Sequence, residues 1–365
     1  MTTAPNILSW LGLSLIQASA ITPGTVYLAA WAFAFGAVVG SFLNVVIWRM
    51  PLGKSVVAPR SRCPKCRSSI RGYDNIPILS WLVLFGKCRD CKTNISGRYP
   101  IVEFGVGLLV MLLACVEGLN NGMNLPIDLQ VLASNSIWWG WATMGLHAVV
   151  LLTLFCQTMI LFDGKSVPRK LFAMSIIAAI LVPALFAGVR PAAVSTGIIA
   201  SPLLAYLATT VAGASAGIII GWLCLPATFN EQQDRLSTVW AFGICGLAFG
   251  WQAAVAIGLL SSIGYFAAKL TLCVTRIQQR LPRAVTTLLA AIGYLLCWGE
   301  ICVALPQLGL YMNSMTLCGA TLGVAIISLA TSWLPKSPAK NLALHAVRPT
   351  RQDGSSKPEN ETIAV

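Results

Sequence analysis

Eight stretches of the chain are apolar for long enough to cross a lipid bilayer: residues 26–48, 101–116, 137–162, 171–189, 203–225, 238–274, 284–305 and 315–333. Each predicts a membrane helix, because only a helix satisfies its own backbone N–H and C=O groups in hydrocarbon without a closed barrel of strands. The sixth stretch is too long for one crossing. Gly250-Trp251-Gln252 supplies a break that would fold it into a hairpin. The pattern therefore predicts an all-α polytopic membrane protein with eight or nine membrane helices. It also divides the chain into an N-terminal segment with the first span (1–48), a polar module (49–100), a membrane-embedded domain (101–334) and a disordered polar tail (335–365). Residues 7–20 are apolar but follow no basic residue, so they predict a surface helix or short anchor rather than a cleavable signal.

Charge gives this layout a direction. Residues 49–100 carry Arg49, Lys54, Arg60, Arg62, Lys65, Arg67, Arg71, Lys87, Arg89, Lys92 and Arg98, whereas 117–136 and 306–314 carry no Lys or Arg. Basic loops stay on the cytoplasmic side, so the module and the tail are expected to face the cytoplasm from the inner membrane. Lys165, Arg169 and Lys170 fall on the same side, and Arg276, Arg280 and Arg283 do so only if 238–274 is a hairpin. With 56% hydrophobic and 10% charged residues, the net charge of +13 is a property of these loops and implies no nucleic-acid partner. Trp138, Trp139 and Trp141 predict an aromatic belt at the opposite surface.

Small features inside the spans read as packing. Gly213, Gly217 and Gly221 form a small-residue row of the kind that lets two helices approach closely. His147 reads as a satisfied interior histidine rather than a metal ligand, since no second His or carboxylate lies near it at ligand spacing. The eight cysteines from Cys115 onwards lie in or near apolar segments and read as small core residues. Dinucleotide, P-loop and HExxH motifs are absent.

The polar module carries the chemistry that is legible from spacing. Cys63-Pro64-Lys65-Cys66 and Cys88-Arg89-Asp90-Cys91 are two C-x-x-C knuckles about twenty residues apart, the arrangement of a four-thiolate structural zinc site on Cys63, Cys66, Cys88 and Cys91. Lys65, Arg67, Lys87 and Arg89 favour the thiolates that a metal needs. The competing arrangement, two disulfides, needs an oxidising compartment, whereas the charge pattern puts the module in the cytoplasm.

The module and its flanks also resemble a known family. Gly40-Ser41-Phe42-Leu43-Asn44-Val45-Val46-Ile47-Trp48-Arg49-Met50-Pro51, the two cysteine pairs, Tyr73-Asp74-Asn75-Ile76-Pro77-Ile78-Leu79-Ser80-Trp81 and Ile95-Ser96-Gly97-Arg98-Tyr99-Pro100-Ile101-Val102-Glu103 are similar, in this order, to the type IV prepilin leader peptidases. The resemblance implies a membrane aspartic endopeptidase that removes the leader of prepilin or pseudopilin substrates. Members with the four cysteines often also methylate the new N-terminus, so the resemblance implies S-adenosylmethionine as a cofactor. It implies the lipid bilayer and pilus or secretion assembly proteins as partners.

The family cleaves with two aspartates near the cytoplasmic membrane surface, one protonated and one ionised, sharing a water. The corresponding candidates here are Asp163 and Asp234, with Glu231 as a third acid on the same side. Asp163 lies in Leu161-Phe162-Asp163-Gly164-Lys165-Ser166-Val167-Pro168, which resembles the family's first aspartate segment. There, however, the aspartate precedes the proline by seven residues, which falls on Leu161 here. The family's G-x-G-D motif is missing, and an ungapped count from Gly246 and Gly250 puts Thr238 where its aspartate belongs. Two readings therefore stand: an endopeptidase using Asp163 and Asp234, or a catalytically inactive relative that binds or scaffolds pilin-like proteins. A transporter is a third class, opposed by the scarcity of ionisable residues near the centres of the spans.

Overall fold

The structure, a computed structural model, describes residues 23–58, 61–63, 65–119, 124–125, 137–186, 189, 202–225, 232–275, 281–299 and 314–334. The expected N-terminal anchor, the polar tail and Glu231 lie outside the described residues. Among the described residues there are ten α-helices: α1 Pro23–Arg49, α2 Leu79–Val83, α3 Arg98–Leu113, α4 Ile137–Phe162, α5 Ala173–Leu185, α6 Pro202–Leu223, α7 Gln232–Phe249, α8 Trp251–Val274, α9 Arg283–Leu296 and α10 Ser314–Trp333. A π-helical turn, Ala114–Leu119, prolongs α3. Among the described residues there is no β-strand, only two isolated bridges in the polar module.

Among the described residues, five segments are long and apolar enough to span a bilayer: Pro23–Leu52, Arg98–Leu119, Trp138–Phe162, Tyr206–Leu223 and Trp251–Val274. The predicted break of the sixth stretch is present. α7 stops at Phe249, Gly250 adopts φ +91°, and α8 starts at Trp251. Only glycine enters that backbone region without strain. The fourth stretch is a shorter helix than its apolar run: a 3-10 turn, Arg169–Phe172, occupies its start and α5 stops at Leu185.

Side-chain contacts fix how the helices run. α1 and α3 are antiparallel: a Cβ on Gly36 would meet Val110 Cβ at 2.8 Å, and one on Gly40 would meet Glu103 Cα at 2.8 Å. Gln157 donates to the Ser237 carbonyl at 3.1 Å while His147 packs edge-on against Phe249, so α4 and α7 are antiparallel as well. The predicted glycine row joins α6 to α7. A Cβ on Gly213 or Gly217 would run into the Gly246 or Phe242 carbonyl oxygen, and one on Gly221 would lie 2.7 Å from Val239 Cα. α8 returns alongside α6, with Ile220 against Gly258. The ends at Arg49, Arg98, Phe162, Leu223, Gln232, Val274 and Arg283 thus gather at one end of the bundle, the end that carries the cysteine module. Leu146, Val150, Leu154, Phe172, Phe242 and Ala253 belong to one large buried core, and Val46, Ile47, Val102, Val106 and Ile160 to a second core under the module.

Candidate functional site

The module is built from two copies of one knuckle. Cys63 N–H bonds to the Ser68 carbonyl and Arg67 N–H to the Cys63 carbonyl. Twenty-five residues on, the Cys88 N–H bonds to Thr93 and the Lys92 N–H to Cys88 in the same pattern. The residue after each second cysteine, Arg67 (φ 59°) and Lys92 (φ 58°), turns the chain through the left-handed region. Both sulfurs of each pair thereby face inward, and the four Sγ atoms lie within 4.8 Å of one another. The Cys63–Cys91 and Cys66–Cys88 separations are 3.7 and 4.0 Å. All four cysteines are free. A tetrahedron with metal–sulfur bonds of about 2.3 Å has sulfur–sulfur edges of about 3.8 Å, so the donor set fits a tetrahedral thiolate metal. The Ser68 hydroxyl lowers the Cys66 thiol to about 6, the Cys91 backbone N–H lowers Cys88, and burial raises Cys63 to about 11. Removing one ligand, as in Cys66→Ser, is expected to halve or abolish bound metal by elemental analysis and to raise protease cleavage across residues 60–95. The membrane helices, which satisfy their own backbones, should stay folded.

The module is tied to the bundle at named points. Arg89 forks onto Asp74 at 2.6–3.0 Å and holds its carboxyl below the usual range. Pro77-Ile78-Leu79 forms a γ-turn, with Leu79 N–H on the Pro77 carbonyl at 2.6 Å and Ile78 at φ 62°, ψ −54°. A β-branched residue reaches that conformation only against strain. Glu103 of α3 supplies the restraint, accepting the Ile78 N–H at 2.7 Å. Asn44 of α1 donates to the Tyr99 carbonyl at 3.3 Å, and Trp81 Nε1 to Ile95 at 3.1 Å.

The candidate aspartates lie at this same end. Asp163 follows the last residue of α4, and both of its carboxylate oxygens lie 2.8 Å from Arg98 Nη1. Asp234 is in the first turn of α7; its side chain lies outside the described residues. Leu161 and Thr238, where the ungapped counts fall, are buried at 4% and 5% exposure on two helices joined by the Gln157–Ser237 bond.

A second polar centre lies farther from the module. Glu117, on the π-helical turn, is fully buried and 2.8 Å from His147 Nδ1. Asn124 donates to Glu117 at 2.9 Å and to the Leu295 carbonyl at 2.8 Å. His147 is thus an interior histidine as expected, but its partner is a carboxyl thirty residues away in sequence. The expectation that no carboxylate lies near it held only for helical spacing. Arg98 and Glu117 were not singled out by sequence. The one signal for Glu117 was a solitary acid at the end of an apolar run.

Comparison with known proteins follows the same division. Residues 34–116 match the Bacterial Peptidase A24 N-terminal domain. The "Prepilin leader peptidase/N-methyltransferase" of Myxococcus xanthus is 54% identical over 89 residues, 24% of this chain and 26% of that protein. The protein of that name from Neisseria gonorrhoeae is 36% identical over 172 residues, 40% of this chain and 51% of its own. That of Aeromonas salmonicida is 29% identical over 301 residues, 73% of this chain and 90% of its own. The chain thus spans about a quarter of the first relative and half of the second. No solved structure matches significantly. With residues 34–116 matching the Bacterial Peptidase A24 N-terminal domain and similarity extending over most of its length, the chain is similar to the prepilin leader peptidase/N-methyltransferases.

Proposed function

We propose that this chain engages prepilin-type proteins at the cytoplasmic face of the inner membrane without cleaving them. The observation that carries this reading is the neighbourhood of Asp163. Arg98 occupies both of its carboxylate oxygens, while the positions counted from the family's motifs hold Leu161 and Thr238, both buried. Neither leucine nor threonine supplies an ionisable group for proton transfer near neutral pH. The cysteine module, with zinc as its structural ion, would then serve as a docking platform of fixed shape. Methylation from S-adenosylmethionine needs a freed N-terminus, so a non-cleaving chain would have its methyl acceptor supplied by another peptidase.

The second reading is an aspartic endopeptidase acting through Asp163 and Asp234. It is favoured by the names of the relatives and by the position of both aspartates at the module end of the antiparallel pair α4 and α7. One experiment separates the two. The purified full-length protein is assayed on a prepilin that a related peptidase cleaves. The expected result is no cleavage by the wild type, and cleavage by the double variant Leu161→Asp, Thr238→Asp, where two close carboxyls divide one proton between them. Cleavage by the wild type that is lost in Asp163→Asn and in Asp234→Asn would overturn the proposal in favour of the endopeptidase. The orientation is checked separately: a reporter fused after Lys92 is expected to be active only in the cytoplasmic form.

A further inference from the structure

Among the described residues, Trp48 Nε1, Arg98 Nε, Arg98 Nη2 and Lys165 Nζ are buried at the module end and have no hydrogen-bond partner. They belong to one cluster. The Lys165 ammonium lies 3.6 Å from the centre of the Trp48 ring. Lys165 follows Asp163 by two residues, and Asp163 carries the Arg98 guanidinium. Burial pushes the Lys165 ammonium down, with Asp163 acting against that shift and Arg98 with it. The Arg98 and Lys165 cations thus both act on the Asp163 carboxylate, the Trp48 ring lies against the ammonium, and a single arginine nitrogen already occupies both oxygens of that carboxylate.

The free donors have a shape. Arg98 uses Nη1 on Asp163, which leaves Nε and Nη2, one full edge of the guanidinium, without an acceptor. That edge is the fork that binds two oxygens of one oxyanion side by side. A buried donor without an acceptor is destabilising, the more so when charged, so this set calls for an acceptor with several oxygens. Its position indicates what the acceptor is attached to. Trp48 and Asp163 stand at the ends of two membrane-spanning segments, at the depth of lipid headgroups. Phe162 is 65% exposed beside Asp163, and Leu52 is 44% exposed just past Trp48, so the cluster borders apolar surface that hydrocarbon would cover. We propose that Arg98, Lys165 and Trp48 form a binding site for the phosphate of a membrane phospholipid.

The test uses the full-length protein in detergent, read by native mass spectrometry. The probes are a short-chain phosphatidylglycerol, the diacylglycerol with the same chains, and inorganic phosphate. One phosphatidylglycerol per chain is expected to be retained, the diacylglycerol is not, and inorganic phosphate at equal concentration leaves the lipid in place. Lys165→Ala should weaken retention about tenfold, the equivalent of one charge-assisted hydrogen bond. Trp48→Phe keeps the ring beneath the ammonium but removes the N–H, and should weaken it about threefold. Lys54→Ala, exposed beyond the end of α1, should change nothing. Equal loss in Lys54→Ala would mean nonspecific attraction, retention of the diacylglycerol would mean that the chains alone bind, and displacement by inorganic phosphate would assign the site to a soluble oxyanion. Each overturns the proposal, as does the absence of any retained lipid. If Lys165→Ala does not fold, Trp48→Phe decides.

Discussion

His147→Leu is expected to destabilise the protein by about 3–5 kcal/mol, the range found when one partner of a buried polar pair is removed. The Glu117 carboxyl and the His147 ring are 0% and 1% exposed and 2.8 Å apart. Glu117 Oε2 already lacks a partner, so the imidazole and the Asn124 amide carry all the compensation that the carboxyl has among described side chains. Leucine fills the volume and offers no hydrogen. A loss of that size is a large share of the 5–15 kcal/mol that holds a typical fold together. The monodisperse fraction in detergent should fall and the thermal midpoint should drop. The double change Glu117→Leu, His147→Leu should recover most of the loss, because the buried carboxyl is then gone and Asn124 keeps its bond to the Leu295 carbonyl. If His147→Leu alone unfolds within 1 °C of the wild type, the pair contributes nothing to stability.

Gly217→Leu should part α6 from α7. Even the Cβ of such a side chain would run into the Phe242 carbonyl oxygen, and that oxygen belongs to a helix backbone that cannot rotate away. The two helices must separate along the whole row of Gly213, Gly217 and Gly221, at a cost of about 3 kcal/mol or more. Gly145→Ala is the control. Nothing lies within 4 Å of a Cβ there, and alanine in a helix interior should stabilise by about 0.5–1 kcal/mol. Thermal unfolding of the two variants side by side measures both effects. Equal midpoints would mean that α6 and α7 do not depend on close approach.

What the sequence made legible follows from distance along the chain. The break at Gly250, the glycine row and the paired cysteine knuckles depend on residues a few positions apart, and each is present as expected, while the apolar runs give five helices long and apolar enough to span a bilayer among the described residues. The contacts that were not legible join distant segments. Arg98 and Asp163 are 65 residues apart, Ile78 and Glu103 are 25 apart, and Glu117 and His147 are 30 apart. Periodicity marks a polar residue within an apolar run but does not say which other residue it will meet. The strain at Ile78 was likewise invisible, since Ile-Pro-Ile contains no residue that favours positive φ.

The single residue between α7 and α8 has a practical consequence. Gly250 N–H bonds back to the Gly246 carbonyl and its own carbonyl accepts from Ala254, so hydrogen bonding runs through the reversal with no slack. Lengthening the chain at this point by an epitope or a fluorescent tag would pull α7 out of register with α6, where the backbones already touch. Labels, cross-linkers and engineered cleavage sites therefore belong elsewhere on the molecule. Any natural variation in length between these two helices has to be absorbed within the helices themselves.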